Sequence, residues 1–217
     1  MSRIFDCSNS ATRQAGIKAA QSAVSDGRLV VLPTDTLYGL GCDAFNNQAV
    51  ANLLATKKRG PDMPVPVLVG SWDTARGLVH SFDHRLETLI EAFWPGALSI
   101  VVSQAPSLPW NLGDTRGTVL LRMPLHPIAI ELLRETGPMA VSSANITGNT
   151  PPKTAIAAKQ QLGDAVSVYL NGGETPVGQA STIVDVSGAT PRVLREGSIS
   201  AARIEEVLGT SVEVKQR

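Results

Sequence analysis

The chain has little of what several function classes require. Cysteine occurs only twice in 217 residues, at Cys7 and Cys42. Neither falls in a CxxC pair, which argues against a disulfide scaffold and a CxxC metal site. The three histidines, His80, His84 and His126, are scattered, so catalysis built on histidine is not expected. His80 and His84 have the spacing to share a helix face, but no clear third ligand stands near, and a surface pair is expected over zinc. An excess of one charge is also missing. Lys and Arg number 19 against 19 Asp and Glu, and the pI is about 6.8. The molecule as a whole is therefore not an electrostatic nucleic-acid binder, and any RNA contact needs a local basic patch. Aromatics make up only 4%, which leaves no evident platform for stacking bases. No apolar run approaches the roughly 20 residues of a membrane span. The opening MSRIFDCSNS lacks the apolar stretch of a secretory signal, so the sequon Asn145-Ile146-Thr147 is not expected to carry sugar. A soluble, cytoplasmic protein is the expectation.

What the chain does have is concentrated first in Arg28 to Gly41, RLVVLPTDTLYGLG. The apolar run Leu29 to Leu32 reads as a buried strand, ended by Pro33, which has no N–H to give a sheet. Thr34, Asp35, Thr36 and Tyr38 follow, with reasons to face a ligand. Gly39 and Gly41 suit a tight turn or a close approach. Helices are expected from Ser10 to about Asp26, Asn47 to Lys58, Asp73 to Leu78, Asp83 to Phe93, His126 to Glu135, Thr154 to Leu162 and Ser200 to Leu208. Further strands are expected at Val65–Val69, Leu98–Val102, Thr118–Met123, Met139–Val141, Val166–Leu170, Thr182–Val186 and Arg192–Leu194. Residues 104–117, rich in Pro, Gly and polar side chains, read as a long loop of the kind used for lids and binding. The irregular alternation of strands and helices predicts one α/β unit with a mixed sheet.

Familiar nucleotide motifs fail. Gly39-Leu40-Gly41-Cys42-Asp43-Ala44 has the GxGxxG/A spacing. Its glycines do not lie in the first turn after the strand, and Lys57-Lys58-Arg59 stands where a ribose-binding acid belongs. There is no GxxxxGK[ST] and no GxSxG, so neither a P-loop nor a hydrolase elbow is present.

A different pattern recurs: an apolar strand ends, and a hydroxyl or a basic residue comes next. Thr34, Arg122, Ser142 with Ser143, and Arg195 obey it, and Ser181 stands just before a strand. Strand ends in α/β proteins converge on shared crevices. Pooled there, Lys57, Arg59, Arg122 and Arg195 beside Thr34, Thr118, Ser142, Ser143, Asn145 and Ser181 would hold polyanions and carboxylates. Each also has a structural alternative: the basic run can complement a helix dipole, Arg122 can be an ion-paired strand residue, and the serines can cap a turn.

PTDTLYGLGCDA, the K-x-R of Lys57 and Arg59, WPGALSIVV, the strand ending Arg122-Met123-Pro124, SSANITG, STIVD and LREG together resemble the YrdC-like family, the threonylcarbamoyl-adenylate synthases. The resemblance implies a twisted mixed sheet curled into an open barrel-like shape with flanking helices, around a positive cavity. It implies a single catalytic domain over residues 1–217, core about 11–207, in the short form without an additional C-terminal domain. The implied reaction joins L-threonine, bicarbonate and ATP, with Mg2+ bound through the nucleotide. A tRNA-modifying transferase complex then takes the product. The implied catalytic residues are Lys57, Arg59 and Ser143. Arg122, Thr34, Tyr38 and Ser181 would contact threonine or its carbamate. Lys57, Arg59, Thr118, Ser142, Asn145 and Arg195 would contact the nucleotide. One departure stands out: Met63 occupies a position where the family often has His, Lys or Asn, which puts a side-chain contact to threonine from there in doubt. The rival expectations are an RNA-binding module using the same cavity, with weak or indirect RNA contact, and a divergent carbamoyl-adenylate-handling relative.

Overall fold

The alternation of short apolar runs with amphipathic stretches folds into one large sheet with helices on both faces. A computed structural model describes residues 2–60 and 62–215. Along the chain come β1 (Arg3–Asp6), α1 (Ser10–Ser25), β2 (Val30–Leu32), β3 (Gly39–Asp43), α2 (Asn47–Lys57), β4 (Val67–Leu68) and α3 (Trp72–Arg76). Next are α4 (His84–Phe93), β5 (Leu98–Ser103), β6 (Thr118–Arg122), α5 (Pro127–Thr136), β7 (Met139–Ser143) and α6 (Ala155–Leu162). The series closes with β8 (Val168–Asn171), β9 (Thr182–Asp185), β10 (Arg192–Arg195), α7 (Ala201–Leu208) and β11 (Glu213–Val214).

The strands form an 11-stranded sheet in the order β1-β8-β2-β3-β7-β4-β6-β5-β9-β10-β11. Pairing is mixed: β2 runs parallel to β8 but antiparallel to β3, and β5 parallel to β9 but antiparallel to β6. The sheet is open, with β1 and β11 at its two ends.

Successive strand residues point to opposite faces, and the sheet accordingly separates two cores. Val31 joins Leu40, Ile100, Leu121 and Val184 on one face, where α2, α3, α4, α6 and α7 deliver their buried residues. Val30 and Leu32 turn to the other face, among buried residues of α1 and α5 such as Ile17, Val24, Ile128 and Leu132. Helix α1 packs on α5 and lies over β1, β8 and β2.

Several expectations shift by physical causes that the structure makes plain. The glycine-bearing stretch after Tyr38 is not a loop. Gly39 to Asp43 is a central strand between β2 and β7. Its glycine is needed for close approach, since a Cβ on Gly39 would sit 2.5 Å from Val141 Cγ1. Ser142 and Ser143 therefore lie inside β7, opposite Leu40 and Gly39, rather than beyond it. Helix α1 is capped by Asn9, whose side chain accepts from Thr12 N–H at 3.0 Å, one residue before the expected Ser10. The loop 104–117 is pinned to the first core by buried Trp110 and Leu112. No residue of it lines the cavity described below. His84 opens α4 while His80 lies before it, so the two share no helix face.

Candidate active site

Beyond the reach of α1 and α5, whose core ends at Leu68 of β4, the second face of the sheet is left uncovered over β5, β6 and β9. A cavity of about 350 Å3 opens there. Among the described residues, none of its lining comes from a helix. Strand alternation decides what faces it: Leu68 from β4, Ser99 from β5, Leu120 and Arg122 from β6, and Ile183 from β9. The ends of β7 and β10 add Ser142, Ser143 and Arg195, and the β2–β3 turn adds Thr34, Thr36, Leu37 and Tyr38.

Three arginines reach this space, each gripped from behind. Arg122 is 6% exposed. Its Nε donates to Gly96 O at 2.9 Å, Nη1 to Thr36 Oγ1 at 2.8 Å and Nη2 to Asp35 Oδ1 at 2.6 Å. Arg59 donates to the carbonyls of Met63 and Pro64, each at 2.7 Å, and to Ser142 Oγ at 2.9 Å. Arg195 leaves β10 just after a register shift in the β9–β10 pairing, the kind of irregularity that re-aims a side chain. Its Nε and Nη2 both reach Ser181 O, at 3.0 and 2.8 Å. Burial lowers the pKa of all three. Asp35 opposes that shift at Arg122, and Asp62 opposes it at Arg59. Guanidinium stays charged through such shifts. The result is a partly desolvated group of cations with hydroxyls among them. Ser99 and Ser181 share a hydrogen bond at 2.9 Å beside Arg195.

The structure thus brings together Thr34, Tyr38, Arg59, Arg122, Ser142, Ser143, Ser181 and Arg195 of the residues singled out by sequence. Thr34 also builds the turn: its hydroxyl donates to Leu37 O at 2.6 Å and accepts the N–H groups of Thr36 and Leu37. Tyr38 directs its hydroxyl away, to Gly173 O at 2.6 Å.

Three of the sequence-predicted residues lie outside the lining. Lys57 is 2% exposed, with Nζ donating to the carbonyls of Ser143 and Asn145. It holds the cavity wall from behind. The cause is helix phase: Lys57 falls on the buried face of α2 with Val50 and Leu53, and left-handed Lys58 (φ 53°) then ends the helix before Arg59, which faces the cavity. Burial, with Arg59 nearby, lowers the Lys57 pKa to about 8. Asn145 donates its amide to Ile146 O and Asn149 O, shaping the loop after β7. Thr118 sits at the start of β6 with its hydroxyl on Thr115 O at 2.8 Å, two and four residues before the lining positions Leu120 and Arg122. The Met63 side chain is exposed, and its carbonyl anchors Arg59. Ser99 was missed, although a lone hydroxyl in the run LSIVV was the available signal. Asp35 and Thr36 were noticed in their stretch but not tied to Arg122, which is 87 and 86 residues away.

Fold and site together define a class: a mixed α/β protein whose uncovered sheet face forms an arginine- and hydroxyl-lined cavity for anionic small molecules. The comparisons place it more narrowly. The model of the Sua5/YciO/YrdC family, described as telomere recombination, matches residues 22–197, and the chain belongs to that family. A Mycobacterium tuberculosis protein provisionally named as a threonylcarbamoyl-AMP synthase is 62% identical over 209 residues, 96% of each chain. The crystal structure of Pyrococcus abyssi Sua5 complexed with L-threonine superposes with a TM-score of 0.93 at 30% identity, over 99% of this chain and 63% of that one. This chain thus spans somewhat less than two thirds of the Pyrococcus structure. Escherichia coli YciO shares the fold, with a TM-score of 0.83 at 24% identity, over 94% of this chain and 100% of that one.

Proposed function

We propose that the protein is an L-threonylcarbamoyladenylate synthase, joining L-threonine, bicarbonate and ATP into threonylcarbamoyl-AMP and pyrophosphate for the modification of tRNA. The observation that carries this reading is the convergence of Arg59, Arg122 and Arg195 with Ser99, Ser142, Ser143 and Ser181 in one cavity. The names of the relatives, and the threonine in the Pyrococcus structure, support it.

The chemistry asks for charge neutralisation and positioning more than for proton transfer. Condensation of the threonine amine with bicarbonate gives a carbamate and releases water. A carbamate oxygen then attacks the α-phosphorus of ATP, the bond to the bridging oxygen of the β-phosphate breaks, and pyrophosphate leaves with the electron pair. Arg122, the last residue of β6, binds the amino-acid carboxylate. Arg59 and Arg195 take the phosphate oxygens, and the serine hydroxyls orient the carbamate and nucleotide. Held this way, the reactants lose little further entropy on reaching the transition state, and its charge meets fixed donors. Lys57 keeps the Ser143–Asn145 wall in place. Among the described residues no cluster of three or more His, Cys, Asp or Glu is placed to hold a metal. Arginines and hydroxyls suit a metal that arrives on the phosphates, so Mg2+ enters as the ATP chelate. In this reading the product passes to a tRNA-modifying transferase complex in the cytoplasm. Among the described residues no helix is long and apolar enough to cross a membrane.

The test is pyrophosphate release by the purified protein with ATP, Mg2+, bicarbonate and L-threonine. Release that requires both threonine and bicarbonate, with a labile threonylcarbamoyl-AMP product, is expected. Failure to bind ATP, together with salt-sensitive RNA binding, would favour an RNA-binding role for the cavity.

A further inference from the structure

The carboxylate of Asp35 has no place in the cavity lining, yet it touches the residue at the heart of it. Asp35 is buried at 5% exposure, directly behind Arg122. One oxygen, Oδ1, accepts from Arg122 Nη2 at 2.6 Å and from Leu125 N–H at 2.9 Å. Its backbone carbonyl accepts from Val177 N–H at 3.0 Å, in the segment leading to Ser181. Next to it, Thr36 Oγ1 accepts from Arg122 Nη1 at 2.8 Å and, because the Thr34 hydroxyl proton goes to Leu37 O, donates to Thr34 Oγ1 at 3.1 Å. The turn between β2 and β3 therefore meets the guanidinium with two acceptors, one charged and one neutral, on two different nitrogens.

The donor inventory of arginine shows what this leaves. A guanidinium has five N–H groups. Gly96 O, Thr36 Oγ1 and Asp35 Oδ1 take three of them. Two remain, one on each terminal nitrogen, and Arg122 lines the cavity. A planar carboxylate is the ligand that engages two such donors together. An arginine with a flexible stem loses rotamer freedom on binding unless its orientation is already fixed. Here it is fixed by three anchors, of which Gly96 O and Asp35 lie outside the cavity lining and Thr36 at its edge.

Charge points the same way. Asp35 neutralises Arg122 as a buried pair, and Arg195 stands near enough to weigh on the Arg122 charge. With Arg59 included, the cavity keeps an excess of positive charge for its anionic ligands. Asp35 thus anchors Arg122 without cancelling the site.

We infer that Asp35, with Thr36, is a positioning residue that presets the Arg122 guanidinium to receive the amino-acid carboxylate, and so sets the affinity for threonine. This rests on the synthase reading above. It makes Asp35, at the centre of the PTDT turn, a determinant of threonine affinity that acts through Arg122 rather than by contact.

The experiment measures KM for L-threonine and for ATP in pyrophosphate release, with a thermal melt for each protein. Asp35→Ala is expected to raise the threonine KM by roughly tenfold or more, the scale of losing a hydrogen bond to a charged group, and the ATP KM by much less. Asp35→Asn keeps an acceptor oxygen and should recover most of the threonine affinity. Thr36→Val, nearly isosteric, should raise the threonine KM more modestly in the same direction, and it decides the matter if Asp35→Ala does not fold. In an Arg122→Ala background, Asp35→Ala should add nothing further. A threonine KM unchanged in Thr36→Val and Asp35→Ala would overturn the proposal, as would threonine and ATP KM rising together, or full additivity with Arg122→Ala. A wild-type protein that releases no threonine-dependent pyrophosphate would instead overturn the synthase reading itself.

Discussion

The two faces of strands β5, β6 and β9 are built from adjacent residues and have opposite fates. On one face Ile100, Leu121 and Val184 are at most 1% exposed and packed under helices. On the other, Ser99, Arg122 and Ile183 line a cavity. The backbone pairing is shared, with Ile100 opposite both Leu121 and Val184. What differs is helix coverage. Helices α1 and α5 cover the second face from the β1-β8-β2 end as far as Met139 and Val141 of β7 and Leu68 of β4, so β5, β6 and β9 must satisfy their side chains with each other or with a ligand. Buried polar groups are tolerable there because each is hydrogen-bonded from behind. The same strand thus carries stability on one side and chemistry on the other.

The sharpest way to break this comparison is to make the bare face resemble the sealed one. Arg122→Leu should cut threonine-dependent pyrophosphate release roughly a hundredfold or more, the scale of losing a preorganised charged donor. It should also cost about 3–5 kcal/mol of stability by stranding Asp35, the usual cost of removing one partner of a buried pair. Adding Asp35→Asn should restore part of the stability in urea unfolding and none of the activity. The mirror change is on the sealed face. Leu121→Ala should cost about 2–5 kcal/mol through the cavity it leaves, while the KM for threonine of the folded enzyme stays near wild type. Ser99→Ala is gentler: it removes one hydrogen bond to Ser181, worth about 1 kcal/mol, and should raise a substrate KM a few-fold in steady-state kinetics.

A last expected effect, on stability alone and not on the cavity, comes from pH. Lys57 falls from 10.5 to about 8 on folding because burial disfavours its charged form. Between those values the unfolded chain holds more protons at this group than the folded one, so its contribution to stability rises with pH across that window. Below about pH 8 both states are charged and the cost of burying the ammonium is fully present. Urea unfolding compared at pH 8 and pH 10 should show this rise in the wild type and lose it in Lys57→Met.

Much of the site was legible because it obeys a local rule. Arg122, Arg195, Ser142, Ser143 and Ser181 flank apolar runs, and strand ends in such folds gather. The sites missed or misplaced depend on features no local window contains. Gly39 to Asp43 reads as a loop until β7 is seen beside it, since its strand character comes from the partners on both sides. Lys57 continues the spacing of Val50 and Leu53 onto the buried face of α2, a place its charge argues against until the carbonyls of Ser143 and Asn145, 86 and 88 residues away, are seen beside it. The edge strands β1 and β11 escaped because neither has a buried face to set an alternation: Arg3, Ile4, Asp6, Glu213 and Val214 are all exposed. The Asp35–Arg122 pair spans 87 residues, and only the sheet order places its two ends together.

Calorimetric titration of L-threonine into the wild type, Arg122→Leu and Leu121→Ala tests most directly that one face binds and the other only stabilises. Binding by the wild type and Leu121→Ala with similar affinity, and at least about tenfold weaker binding by Arg122→Leu, a loss of some 1.4 kcal/mol, is the expected result. Equal weakening by both substitutions, or threonine binding indifferent to Arg122, would contradict it.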